Sequence, residues 1–108
     1  MSSTVLDLTL FIKSSDLDVF WSHFDPLHKK CCAEPECKLF EVAVSHDKSA
    51  GETTIKIFEK WAFSVEQFLG TQIKKEYYEP YNKGTLPLLS KPRVLELYEP
   101  VAKYSHRG

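Results

Sequence analysis

The sequence lacks an excess of charge of either sign, a long hydrophobic run and a closely spaced C-x-x-C pair. Its 14 Lys and Arg residues against 15 Asp and Glu give a net charge of -1, which argues against nucleic acid or an anionic membrane as a partner. No apolar stretch approaches the roughly 20 residues that span a bilayer, and the N-terminus has neither the basic start nor the apolar core of a signal peptide. The sequence therefore predicts neither a nucleic-acid partner nor a membrane partner.

The cysteines are few and odd in number: Cys31, Cys32 and Cys37. Free thiols are the normal state in the reducing cytosol, which favours a cytoplasmic location. His28 lies three and four residues before the first two cysteines on an expected helix. These side chains do not complete the four-ligand set of a closed zinc site, so we expect no metal.

Length and composition bound the architecture. A chain of 108 residues with 43% hydrophobic and 27% charged residues is typical of one globular domain. No low-complexity segment or internal linker interrupts it. We expect a single domain over 1–108, with its core at about 5–101 and a dispensable tail at 102–108.

Alternating and helical apolar patterns divide the chain into elements. Strands are predicted at 5–12, 37–45, 53–61 and 92–101, where apolar residues alternate between two faces. A first helix is indicated by apolar residues three and four positions apart: Leu17, Phe20, Phe24, Leu27 and Cys31. Pro26 lies inside this helix and predicts a kink or a break.

A second helix is predicted after Ser64, because Ser64 and Gln67 form an S-x-x-Q capping box. Gly70 weakens the middle of this helix, so two short helices are an alternative. The apolar face predicted for it consists of Val65, Phe68, Leu69 and Ile73. The segments 46–51 and 81–89 contain turn residues and are predicted to be loops.

The predicted order is β-α-β-β-α-β, the ferredoxin-like arrangement of an α+β protein. It gives a four-stranded antiparallel sheet with both helices on one face. Most strands nevertheless carry apolar residues on both faces, and a second sheet packed on the open face would bury them. The pattern therefore predicts a homodimer.

Four short segments, taken together in their order, resemble the antibiotic biosynthesis monooxygenase domain, a branch of the dimeric α/β-barrel superfamily. They are Ala33-Glu34-Pro35-Glu36-Cys37, Leu39-Phe40-Glu41, Phe58-Glu59-Lys60-Trp61 with the helix start after it, and Tyr98-Glu99-Pro100-Val101. The family typically has Gly before the cysteine, where this chain has Glu36. The likeness extends over about 5–101 and rests on order and spacing rather than on any single motif.

The resemblance implies a homodimer whose two sheets close into a barrel, with a pocket between sheet and helices in each subunit. Some members of the family oxygenate phenolic or polyketide-like compounds with molecular oxygen and neither metal nor flavin. Others degrade haem, which requires an axial histidine near the second helix. No histidine occurs between His46 and His106, so haem is disfavoured and we expect no bound cofactor.

Trp61 matches a Trp that lines the pocket in some quinone-forming members, where an Asn precedes it by four residues. This chain has Ile57 there, which cannot hold a substrate oxygen by hydrogen bonds. Trp61 is therefore either a substrate contact or a core aromatic residue. Glu59 on the same face is either a base whose pKa is raised by apolar surroundings, or a partner of a Lys or Arg across the sheet.

His23 on the first helix is another candidate acid or base, with a partly exposed structural histidine as the alternative. The tyrosines after the second helix either rim the pocket or cover the surface. The candidate catalytic residues are thus His23, Glu59 and Trp61. The candidate substrate-binding residues are Phe20, Phe24, Ile57, Trp61, Phe68, Tyr77, Tyr78 and Tyr81.

The leading hypothesis is a cofactor-independent monooxygenase of secondary metabolism that acts on a small apolar, phenolic or polyketide-like compound. A substrate that readily forms a carbanion reduces oxygen directly, so the protein supplies only a base, orientation and a dry pocket. Two alternatives remain open: a non-catalytic ligand-binding dimer, and a cofactor-free isomerase, cyclase or decarboxylase. The isoleucine at position 57 favours these alternatives over quinone-type oxygenation.

Overall fold

The computed structural model describes residues 2–47 and 49–106, and it contains the predicted four-stranded antiparallel sheet. The strands are β1 (Thr4–Lys13), β2 (Cys37–Asp47), β3 (Glu52–Trp61) and β4 (Val94–Tyr98), in the order β2-β3-β1-β4 across the sheet. The helices are α1 (Leu17–Cys32), α2 (Val65–Gly70) and α3 (Tyr78–Thr85). Short 3₁₀ turns occupy Ser14–Asp16, Gln72–Lys74, Leu86–Leu88 and Ala102–Tyr104. The ferredoxin-like prediction is confirmed.

The core lies between one face of the sheet and the helices. The strand residues on this face alternate with residues on the other, because side chains in a strand point to opposite faces. Buried residues from the strands are Leu6, Leu10, Ile12, Ile55, Ile57 and Trp61, and α1 adds Phe20, Phe24, Leu27 and Cys31. The opposite, outer face is partly or wholly exposed and carries Leu39, Phe58, Val94 and Tyr98.

Helix α1 continues through Pro26, so of the two predicted outcomes, a kink or a break, the break does not occur. Pro26 is exposed, whereas Phe24 and Leu27 on the other side of the helix are buried. The proline removes one backbone hydrogen bond on the side that faces water. Burial of the apolar stripe offsets that loss, because each fully buried large side chain contributes about 1.5–3 kcal/mol.

The segment predicted as a loop at 81–89 is instead the last half of α3 followed by a 3₁₀ turn. Pro80 lies in the first turn of the helix, where its missing N–H is tolerated. The Thr85 hydroxyl donates to the Tyr81 carbonyl oxygen at 2.7 Å. Tyr81 packs against α1 through the Phe20 ring, with the two ring centres 6.2 Å apart. Tertiary packing therefore overrides the local turn signals.

Other boundaries also differ from the sequence-based ones. Strand β2 reaches Asp47 because its last residues pair with β3 up to Glu52, and β4 is shorter than predicted. The capping box of Ser64 and Gln67 is present, and α2 ends at Gly70. Of the predicted apolar face, Phe68 is buried while Leu69 and Ile73 are exposed. Within the described residues, no helix combines the length and apolarity needed to cross a membrane.

Candidate active site

A cavity opens between the inner face of the sheet and the three helices. The volume of this cavity is about 80 Å³, and its mouth is open to solvent. The apolar part of its wall consists of Leu6, Leu8, Phe24, Leu27, Phe40, Ile57, Phe68, Ile73 and Leu95. The polar part consists of Cys31, Glu59, Tyr78, Tyr81, Asn82 and Arg93. A largely apolar wall with a few polar groups is typical of a small-molecule site.

Glu59 is the only carboxylate on this wall within the described part of the chain. The alternation of β3 puts it on the inner face, paired with Leu6 of β1 and Phe40 of β2. Its side chain is only 7% exposed. The described ion pairs join lysines to Asp7, Glu34 and Glu52 and leave Glu59 without a cation. Of the two roles that the sequence left open for Glu59, an ion pair with a Lys or Arg across the sheet is therefore not the one observed.

Burial raises the pKa of Glu59 to about 7, from an ordinary value of 4.5. The cause is desolvation, because a charged carboxylate among apolar side chains loses its hydration. The Trp61 indole Nε1 donates to Glu59 Oε1 at 2.8 Å, and this hydrogen bond lowers the pKa in part. Glu59 is thus a carboxyl group that gains and loses its proton near neutral pH.

Trp61 lies behind Glu59 and not on the cavity wall. Its side chain is fully buried and stacks on Phe63, with the ring centres 5.3 Å apart and nearly parallel planes. Phe68 lies 6.3 Å from both Trp61 and Phe63, measured between ring centres, so the three rings form one cluster. Trp61 was predicted to be either a substrate contact or a core aromatic residue, and the structure shows it as a core residue. Its indole orients the Glu59 carboxyl group, which faces the cavity. Trimming so well packed an indole costs stability first, typically about 3–5 kcal/mol for a full truncation.

Two of the three candidate tyrosines line the cavity. Tyr78 and Tyr81 face it, whereas Tyr77 lies outside on the groove between α1 and α3. Burial raises the pKa of Tyr81 to about 12 and also raises that of Tyr78. Both phenols therefore remain neutral at physiological pH and are available as hydrogen-bond donors.

A buried glutamine holds the tyrosines in place. Gln72 is 1% exposed, and its Nε2 donates to the hydroxyls of Tyr77 at 2.7 Å and Tyr78 at 3.0 Å. The Tyr77 hydroxyl in turn donates to Glu34, which also pairs with Lys75. No sequence pattern pointed to Gln72, because its partners lie five and six residues further on, and that spacing matches neither a helix face nor a strand face.

The structure does not bring His23 to Glu59. His23 is half-buried and lies on the groove between α1 and α3, under Gly84. Phe20 is also absent from the cavity wall; it is fully buried and packs edge-on against Trp21 and Tyr81. The candidates that do share the wall are Phe24, Ile57, Glu59, Phe68, Tyr78 and Tyr81.

Asn82 and Arg93 form a polar corner of the cavity that sequence reasoning missed. Arg93 is exposed just before β4, and its Nη1 donates to the Asn82 Oδ1 of α3 at 3.1 Å. Asn82 falls in the segment predicted as a loop, so nothing in the pattern placed it near the last strand. The corner adds a positive charge to an otherwise apolar wall.

The thiols of this region are held in their neutral form. Burial raises the pKa of Cys31 to about 12 and that of Cys37 to about 11. Cys31 Sγ lies 3.4 Å from the Tyr78 hydroxyl, and Cys32 Sγ lies 3.4 Å from His28 Nε2. Across residues 2–47 and 49–106, no three His, Cys, Asp or Glu side chains form a group suited to hold a metal ion.

Comparison with known proteins identifies a family for this chain. No family model matches the sequence. A protein of Pestalotiopsis microspora named "Putative monooxygenase GME11364" is 30% identical over 96 residues, which cover 89% of this chain and 78% of that protein. The chain belongs to the antibiotic biosynthesis monooxygenase family.

Solved structures share the fold. Two are described as "putative antibiotic biosynthesis monooxygenase". The one from Nitrosomonas europaea has a TM-score of 0.76 at 15% identity, covering 92% of this chain and 90% of that one. The one from Caulobacter crescentus has a TM-score of 0.74 at 18% identity, covering 93% and 91%. At these identities the likeness establishes the architecture, and the chemistry has to be argued from the site itself.

Proposed function

We propose that this protein is a cofactor-independent monooxygenase that oxidises a small, largely apolar, phenolic or polyketide-like compound in the cavity beside Glu59. The observation that carries the proposal is a carboxyl group with a pKa of about 7 on an apolar cavity wall, without a cation beside it. A base with such a pKa accepts a proton at physiological pH and releases it again. The monooxygenase relative and the family membership support the same reading.

The reaction needs no external reductant. The Glu59 carboxylate takes a proton from a carbon activated by neighbouring aromatic or keto groups, and the carbanion adds molecular oxygen to give a peroxide anion. Protonation by Glu59 gives a hydroperoxide. Loss of the second proton from that carbon, with cleavage of the O–O bond, releases water and leaves a carbonyl. One oxygen atom enters the product, the other enters water, and the substrate methylene supplies all four electrons.

The remaining wall residues support this chemistry. Neutral Tyr78 and Tyr81 phenols are suited to donate hydrogen bonds to a substrate oxygen on which negative charge develops. They stand in for the amide that Ile57 does not supply. The apolar wall excludes water, which strengthens these interactions and protects a reactive carbanion. We further propose that the chain works as a single domain, in a homodimer and in the cytoplasm.

Oxygen uptake tests the proposal. Purified protein is supplied with hydroxyanthrones, which carry an activated methylene, and oxygen consumption and product mass are recorded under ¹⁸O₂. We expect one labelled atom in the product and a rate that rises with pH around 7. Glu59→Gln removes the base and should lower kcat by roughly 10²–10⁴-fold.

The matched control is Glu66→Gln, which changes an exposed carboxyl in the first turn of α2 and should leave the rate unchanged. Product oxygen derived from water, or full activity in Glu59→Gln, would contradict the proposal. Treatment with a chelator before the assay should also leave kcat unchanged.

A further inference from the structure

The cavity has a charged corner and a proton-accepting wall residue that serve different parts of a ligand. Arg93 lines the cavity and donates one hydrogen bond, to Asn82 Oδ1 at 3.1 Å. A guanidinium has five N–H donors in a planar fork, so most of its donors stay available. Among the described ion pairs, none involves Arg93. Arg93 is therefore a cation on the cavity wall that is not paired with a protein carboxylate among the described residues.

Asn82 adds donors at the same corner. Its Oδ1 accepts from Arg93, which leaves both N–H groups of its amide free to donate. Arg93 and Asn82 together thus present converging donors and one positive charge. A carboxylate is the group that matches a planar fork of donors best, since its two oxygens accept in parallel.

The opposite requirement holds at Glu59. A ligand carboxylate placed beside this buried carboxyl would put two negative charges in an apolar setting, which is strongly unfavourable. Burial raises the pKa of Tyr81, and the nearby charge of Arg93 lowers it in part, whereas the pKa of Glu59 is set by burial and the Trp61 hydrogen bond. Glu59 of β3 pairs with Leu6 of β1, whereas Arg93 comes just before Val94 of β4, which pairs with Thr9 of β1. The charged corner and the base therefore lie on different strands and several residues apart along the sheet.

We propose that the natural substrate is a small aromatic or polyketide-like acid whose carboxylate binds Arg93 and Asn82. Its apolar body lies along Leu8, Phe24 and Ile57, and its activated carbon reaches Glu59. The inference rests on the proposed function, because it assumes that this cavity holds the substrate. It adds the acidic substituent and the direction in which the ligand lies.

The test measures binding without turnover. Salicylate, 3-hydroxy-2-naphthoate and anthracene-9-carboxylate, each paired with its methyl ester, are titrated anaerobically into the Glu59→Gln protein with and without Arg93→Met. We expect at least one acid to bind about tenfold more tightly than its ester, as one charge-assisted contact typically provides. Arg93→Met should reduce that ratio to about one while the Kd of the ester changes less than twofold.

Two further variants separate a specific contact from a general field. Lys91→Met removes a cation two residues away that pairs with Glu52 outside the cavity, and it should leave the ratio unchanged. Arg93→Lys keeps the charge without the fork and should retain part of the preference. The proposal is overturned if no acid outbinds its ester, if Lys91→Met abolishes the preference equally, or if Arg93→Met weakens acid and ester alike.

The two proposals fail separately. Acid selectivity that depends on Arg93, together with no oxygen uptake on any tested substrate, would remove the monooxygenase function and leave the binding site. Oxygen uptake on neutral anthrones that is unaffected by Arg93→Met and not improved by an acidic substituent would preserve the function and refute the carboxylate site.

Discussion

Glu59 combines a chemical use with a cost in stability. Its buried carboxyl is neutral at low pH and must lose its proton inside an apolar wall at higher pH. Because its pKa is about 7 in the folded protein and near 4.5 when unfolded, the native state binds more protons between these values. Stability from this residue is therefore highest below about pH 4.5, falls as the pH rises through 7, and is constant above it.

Glu59→Gln should remove this dependence. The amide keeps an oxygen for the Trp61 indole but carries no proton to lose. We expect equal stability of variant and wild type at pH 4 and a gain of roughly 3–4 kcal/mol for the variant at pH 8. Urea unfolding at fixed protein concentration measures it, with Glu66→Gln as the exposed control. Parallel pH profiles for Glu59→Gln and wild type would show that the carboxyl titrates as in water.

Among the elements, the contact between α1 and α3 depends on a residue without a side chain. A Cβ placed on Gly84 would lie 2.5 Å from His23 Nδ1, well inside contact distance. Helix α3 therefore approaches α1 more closely than any other residue at position 84 allows. This approach holds Tyr78, Tyr81 and Asn82 of α3 over the cavity.

Gly84→Ala should destabilise the protein by about 1–3 kcal/mol, although alanine is the better helix former. Removing the imidazole should reverse the sign, so that Gly84→Ala in a His23→Ala background is neutral or stabilising. Thermal or urea unfolding of the four proteins gives this double-mutant cycle. Gly70→Ala is the control, because a Cβ there meets nothing within 4 Å. An unchanged melt in Gly84→Ala would mean that the His23 ring moves aside freely.

The same elements show what the sequence could predict. Strands β1, β2 and β3 follow from alternation, and that period of two also placed Glu59 and Trp61 on one face. Helix α3 was missed because Asn82, Gly84 and Pro87 are local turn signals, whereas its stability comes from packing on α1. Gln72, Asn82 and Arg93 were missed for a related reason: their partners lie five, six or eleven residues away along the chain, and neither strand nor helix periodicity encodes such spacings.

At the scale of the whole molecule, we expect the outer face of the sheet to pack against a second copy of the chain. Leu39 and Tyr98 are each 48% exposed there, and Phe58 and Val94 lie between and beside them. Charged residues such as Asp7, Lys56 and Lys60 share this face. Large apolar side chains so exposed on an antiparallel sheet are nevertheless typical of a face that packs against another sheet. We expect sedimentation equilibrium at micromolar concentration to give twice the 12.5 kDa mass of the chain.

Phe58→Lys should convert that dimer to a monomer. Across the strands Phe58 pairs with Asp7 and Glu41, so a lysine there is tolerated in a lone protomer but not against a second apolar sheet. Leu69→Lys, on the exposed side of α2, is the control and should leave the mass unchanged. A wild-type protein that sediments as one chain would refute the barrel.

The hydrogen bond from Trp61 to Glu59 also makes Trp61 an intrinsic fluorescent probe of the site. The chain has two tryptophans, and Trp21 is the other, half-buried beside Phe20 and Phe24. In a Trp21→Phe protein all indole emission comes from Trp61, whose N–H faces a neutral acid below pH 7 and an anion above it. The wavelength and intensity of the fluorescence then report the protonation state of Glu59. A ligand that changes this protonation state is detected as a change in tryptophan fluorescence, without an added dye.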